Sequence, residues 1–220
     1  RAWIILDYET CKMVESDEAR FPNAFFKPNP VHDEIKGGRN NITVLQGPDH
    51  RSIRHFHMRF LSPAAVKAYQ VEFVAPILDV LIGRILESGR GDLAADLAGQ
   101  LPPMLTVALF NMPWQDADLV REVLDLNHTI MSWTGMRATG DLEFERKAKA
   151  ASAGLNALLL PYIARARANP GQDLISRVLA DGPEHYRALS DEEVLPICRE
   201  LLLAGSDTTI HGIANTLYLI

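Results

Sequence analysis

The chain has 220 residues, 47% of them hydrophobic, enough for one large domain or two small ones with a real core. Its net charge of −6 argues against nucleic acid as the main partner, and no run is long and apolar enough to cross a membrane. Two cysteines lie far apart, Cys11 and Cys198, and no charged-then-apolar leader follows Arg1, which points to a cytoplasmic protein with free thiols rather than a disulfide scaffold.

The first expected element is a strand, AWIILDY, short, β-branched and bounded by polar residues. YETCKMVESDEARF reads as a short helix. From Pro22 to Pro48 the chain is rich in Pro, Gly and Asn and reads as a long loop, a feature that is commonly functional in compact domains. After it nearly everything is helical. DHRSIRHFHMRFL follows Pro48, and a second helix opens at Ser62 with Pro63 in its first position. The segment from Asp92 to Pro113 reads as one helix bent at Pro102 and Pro103. Amphipathic helices are expected over Gln115 to Met136 and Leu142 to Ala168, the latter kinked near Pro161. A short helix, DLISRVLADG, comes next. The last helix starts at Ser190, which with Glu193 has capping-box spacing, and runs to Ile220, about 45 Å at the helical rise. Pro196 lies too deep for its first turn, so a bend costing about 3 kcal/mol is expected there.

ELLLAGSDTTIHG, residues 200 to 212, puts a carboxylate and two hydroxyls into the most hydrophobic part of that helix. A buried unpaired carboxylate costs several kcal/mol, and an unpaired hydroxyl about 1–3. Two readings follow. Either the hydroxyls bond back to carbonyls one turn earlier, with Asp207 turned to solvent or to an arginine. Or the polar patch faces a cavity where protons are delivered, with Gly205 letting a ligand approach the backbone.

AGSDTT in such a helix resembles the distal helix of the cytochrome P-450 family, the bacterial haem-thiolate monooxygenases, whose motif is Ala/Gly-Gly-x-Asp/Glu-Thr-Thr/Ser. Here Ala204, Gly205, Ser206, Asp207, Thr208 and Thr209 fill it. The resemblance implies that Thr208 contacts bound dioxygen and that Asp207 relays protons, with Ala204 and Gly205 against the haem. A second match, GPDHRSIRHFHMRFLSP, is similar to the family's helix C, in which a His-x-x-x-Arg pair holds the haem propionates. The pair here is His50 and Arg54, one turn apart on one helix face. His50, His55 and His57 also invite a metal reading. Residues two apart on a helix point to nearly opposite sides, so no metal site is expected on that segment.

The same stretch holds Arg51, Arg54, Arg59 and Lys67 against one acid, Asp49. The resemblance implies a ferredoxin or flavodoxin-type electron donor docking there. It also implies that the loop before His50 covers the substrate pocket, with Ile42, Thr43 and Leu45 as lining, and that the helices 115–136 and 142–168 form its roof. The expected fold class is mainly α: a single partial cytochrome P-450 domain over residues 1–220, from helix B to the distal I helix, with a small N-terminal β element. After the long final helix the sequence shows no Glu-x-x-Arg helix and no Phe-x-x-Gly-x-x-x-Cys-x-Gly loop, which in the resembled family supplies the thiolate to iron, and neither Cys11 nor Cys198 has the loop's context. The expected function therefore belongs to a longer parent: hydroxylation of a small apolar substrate by O2 on haem b (iron protoporphyrin IX). The alternative is a non-catalytic helical binding domain that keeps the fold without thiolate-ligated iron, and a histidine-based metal hydrolase ranks below both.

Overall fold

Capping residues set most of the helix boundaries in a computed structural model of the chain, which describes residues 3–22, 28–136 and 140–220. Asp7 accepts from the amide of Thr10 and starts α1 (Tyr8–Ser16). Asn29 caps α2 (Pro30–Lys36), which ends at Gly37 in the left-handed conformation. α3 (Gly47–Phe60) has Pro48 in its first turn. Ser62 caps α4 (Pro63–Tyr69), which passes through a π-helical turn, Gln70–Val74, into α5 (Ala75–Ser88). A second π-helical turn, Leu93–Ala98, precedes α6 (Leu101–Leu109). α7 (Ala117–Met136), α8 (Leu142–Ala168) and α9 (Leu174–His185) follow. The chain then forms α10 (Asp191–Ala204), with the Ser190–Glu193 capping box in place, and α11 (Asp207–Tyr218).

The core follows from helical spacing. α8 buries Leu155, Leu159 and Ile163 at intervals of one turn, and α3 buries Ile53, Phe56 and Phe60. α7 and α10 pack against α8, and α10 buries Val194, Ile197, Cys198 and Leu202 there. Trp133 is core as well.

Four expectations are corrected. Among the described residues there is no strand: residues 3–6 are irregular, and Trp3, Ile4 and Leu6 are exposed. A lone β-prone run has no ladder to satisfy its backbone, so composition alone does not make it a strand. The loop from Pro22 to Pro48 contains α2, started by Asn29 with Pro30 beside it. The helix expected from Asp92 is two elements, because Pro102 and Pro103 sit in the first turn of α6, where a missing N–H leaves no ladder bond unmade. The final helix, expected to run from Ser190 to Ile220, is two helices, and α10 runs through Pro196. The carbonyl that Pro196 leaves without a donor belongs to Glu192, an exposed residue in the first turn of α10. The break falls instead at Gly205 and Ser206, inside the acid–hydroxyl motif.

Candidate active site

Two side chains occupy carbonyls in the last turn of α10, just before that break. Asn127 of α7 donates from Nδ2 to the carbonyl of Leu202 at 3.3 Å, and the hydroxyl of Thr208 donates to the carbonyl of Ala204 at 2.9 Å. Both are carbonyls that a continuous helix would use for its own ladder. A side chain inserted there is a recognised cause of a helix kink. Asn127 and Ser206 are fully buried, and Asn127 Oδ1 and Ser206 Oγ have no partner among the described residues. A Cβ on Gly205 would lie 3.0 Å from Thr106 Oγ1 of α6, so glycine lets α6 approach closely here.

On the other side of the break, Asp207 sits in the first turn of α11 with Oδ2 3.9 Å from His128 Nδ1 on α7. Ala204, Thr208 and Thr209 are exposed, and Gly205 is half-buried. The Thr208 hydroxyl therefore bonds back along the chain, as the first sequence reading expects, while the carboxylate meets an exposed histidine rather than an arginine.

α3 carries the second group. His50 is half-buried and Arg54 exposed, one turn apart, and neither makes an ion pair or side-chain hydrogen bond with a described residue. Two uncommitted donors on one face suit the two carboxylate arms of a haem, so the residues present fit that group. His57 points the other way: its Nδ1 lies 2.7 Å from the Ile53 carbonyl, and burial holds its pKa below the ordinary imidazole value. His55 is exposed. Among the described residues no three His, Cys, Asp or Glu side chains could hold a metal ion. Cys198 is fully buried, which pushes its thiol pKa up and keeps it neutral, and Cys11 is half-buried. Of the basic residues expected to meet a partner, Arg51, Arg54 and Lys67 are exposed, whereas Arg59 pairs with Asp181 at 3.3 Å.

An apolar cavity of about 530 Å³ lies between the end of α3, α4, α6 and α11, bordered by Phe60, Tyr69, Leu105, Gly205, Thr209 and Ile213. It reaches the break through Gly205 and Thr209; Asp207, Thr208, His50 and Arg54 do not line it. Nor do the expected pocket residues. Ile42 and Leu45 pack against the main core, and the Thr43 amide and hydroxyl both donate to Asn41 Oδ1.

Sequence reasoning passed over one buried site. Arg199, in the middle of α10, is completely buried. Its Nη1 donates to Ser152 Oγ at 3.0 Å and Asn156 Oδ1 at 2.6 Å on α8, and its Nη2 to the Ile35 carbonyl at 2.6 Å. Burial brings its pKa down to about 10, and neighbouring Glu200 opposes the shift. Gly37, at φ 83°, lies flat against the guanidinium: a Cβ there would stand 2.7 Å from Arg199 Cζ, Nε and Nη1. Beside it, Asn41 donates to Glu200 Oε2 at 2.5 Å, and Asn40 donates to the Glu193 carbonyl at 3.0 Å. Burial also lowers the Lys36 pKa, with Glu200 opposing. The segment from Lys36 to Asn41 is thus stitched to the helix that carries the motif. The signal was an Arg–Glu pair inside an otherwise apolar run, the same anomaly that marks Asp207.

A sequence profile described as cytochrome P450 matches residues 1–220. The chain belongs to the cytochrome P-450 family, a family of haem monooxygenases. It is 29% identical over 218 residues to the cyclomarin C epoxidase CymV of Salinispora arenicola (strain CNS-205), covering 98% of this chain and 53% of that protein. It is 27% identical to the mycinamicin IV hydroxylase/epoxidase of Micromonospora griseorubida, covering 100% of this chain and 52% of that one. Among solved structures, substrate-free CYP109E1 from Bacillus megaterium superposes with a TM-score of 0.77 at 25% identity, over 98% of this chain and 54% of the other. P450BioI, in complex with an acyl carrier protein ligated to hexadec-9Z-enoic acid, has the same fold at a TM-score of 0.80 and 19% identity, over 96% and 53%. The chain spans about half the length of the curated relatives it matches.

Proposed function

We propose that this chain is the distal part of a haem-dependent monooxygenase that hydroxylates a small apolar organic substrate with O2 and electrons from a ferredoxin or flavodoxin-type donor. The observation that carries the proposal is the helix break at Gly205 and Ser206, which places an acid and a hydroxyl at the start of α11. The haem, when bound, supplies oxygen activation, a chemistry that consumes protons. His50 and Arg54 bind its two carboxylates. Ala204 and Gly205 present little side chain, so the macrocycle can lie close to the helix. Asp207 takes protons from solvent on the His128 side and hands them on through water, and Thr208 swings its hydroxyl from the Ala204 carbonyl to donate inward. Neither cysteine of this chain suits the thiolate role, so a thiolate holding the haem iron would come from the remainder of the parent protein. Exposed Arg51, Arg54 and Lys67 are a landing surface for an acidic electron donor. The parent protein works in the cytoplasm.

The test uses the full-length protein. Reduction under carbon monoxide should give the spectrum of thiolate-ligated haem, and Thr208→Ala should divert reducing equivalents to hydrogen peroxide at the expense of hydroxylated product. A full-length protein without that spectrum refutes the enzyme. A Thr208→Ala variant that couples as well as the parent removes the proton-delivery role.

A further inference from the structure

α7 addresses the break with two consecutive residues. His128 stands beside Asp207, and Asn127, one position earlier, takes the carbonyl of Leu202. The Asn127 side chain is completely buried, uses only one of its two polar atoms, and spends that one on a backbone group 75 positions away. A buried amide with an orphaned oxygen is unfavourable by about 1–3 kcal/mol, so packing alone favours an apolar residue of the same size at this position. Its placement makes sense if the carbonyl it captures matters.

We infer that Asn127 is a positioning residue that keeps α10 and α11 apart and thereby aims Asp207 and Thr208. The Leu202 carbonyl is the natural acceptor for the amide of Ser206, four residues on. While the Asn127 amide holds it, Ser206 stays outside both helices at φ −95° and ψ −81°, and α11 starts afresh at Asp207. With that amide removed, Ser206 can bond to Leu202, the ladder can continue, and α10 and α11 can fuse. Fusion changes the direction in which the Asp207 and Thr208 side chains leave the helix, since each is set by helical phase. Asn127 touches neither substrate nor haem; it acts through the backbone of the motif. The inference rests on the proton-delivery reading of Asp207 and Thr208 and adds the device that orients them.

The test is Asn127→Leu in the full-length, haem-loaded protein. Leucine matches asparagine in size, removes the donor and also removes the orphaned oxygen. The expected result is a melting temperature equal to or above that of the parent, together with two changes that a packing role would not produce. Product formed per electron pair falls at least about tenfold, in line with the cost of a small misplacement of a reacting group, and peroxide rises to match. Amide hydrogen exchange at Ser206 and Asp207 slows as the ladder closes. Asn127→Ser, which keeps a polar group but cannot reach Leu202, should behave the same way and decides the matter if the leucine variant loses haem. Where Thr208→Ala is uncoupled, normal coupling in both Asn127 variants overturns the inference, and unchanged exchange overturns it in every case. Slowed exchange in a full-length protein whose Thr208→Ala variant stays coupled upholds Asn127 as the wedge and refutes the proton-delivery reading instead.

Discussion

Replacing Gly37 by alanine is the sharpest probe of the buried arginine. Gly37 has φ 83°, where an L side chain is strained by about 1–2 kcal/mol. The new Cβ would also lie 2.7 Å from three guanidinium atoms of Arg199, closer than van der Waals contact allows. Arg199 cannot retreat freely, because Ser152, Asn156 and the Ile35 carbonyl hold it on the other side. Losing even one bond of a buried charged group costs about 1.5–3 kcal/mol. Gly37→Ala should therefore cost about 2.5–5 kcal/mol by these two contributions together. Arg199→Met removes the obstacle, so on that background the same change should cost only the backbone strain, about 1–2 kcal/mol. The assay is urea unfolding of the four proteins of a double-mutant cycle, each at full length, followed by circular dichroism. An equal cost of Gly37→Ala on both backgrounds would refute the claim that Gly37 exists to make room for Arg199.

Other outcomes follow from the same geometry. His57 is held neutral by burial, below its ordinary 6.5. Between the depressed folded value and 6.5 the unfolded chain binds more protons than the folded one, so this stability is complete above 6.5 and drains as pH falls through the folded value. The melting temperature should drop on acidification more steeply for the parent than for His57→Gln, and parallel curves would show that His57 does not titrate on unfolding. Arg54→Ala should weaken haem retention in the full-length protein by about tenfold, read as faster transfer to apomyoglobin, with no effect on the fold by circular dichroism. Ser190→Ala removes the cap that accepts from the Glu193 amide and should cost about 1 kcal/mol in urea unfolding.

The sequence was most legible where a local rule decides. The capping box at Ser190, Pro63 in a first turn, and the ends of α8 at Leu142 and Ala168 all fall where residue chemistry within one turn puts them. The chemistry of the acid–hydroxyl motif was legible too, as an energetic anomaly in an apolar run. Its geometry was not. Pro196 is the only backbone irregularity that the local pattern of this helix marks, and α10 runs through it, whereas the actual break depends on an amide donated by Asn127 from 75 positions away. The Arg199 network depends on contacts across 43 to 164 positions. No local pattern around Gly37 or Ile35 hints that an arginine arrives there. The N-terminal run failed for the opposite reason: its β-branched residues satisfy the local rule, but among the described residues no strand lies alongside to complete a sheet.

The interruption between α10 and α11 has an electrical result. An unbroken helix from Ser190 onward would carry its positive pole at the surface, a whole 14-residue helix before the motif. Split in two, the same segment gains a second positive pole at Ser206–Thr209, worth roughly half an elementary charge, with Asp207 inside its first turn. Negative charge accumulating just beyond that turn is stabilised by the aligned peptide dipoles.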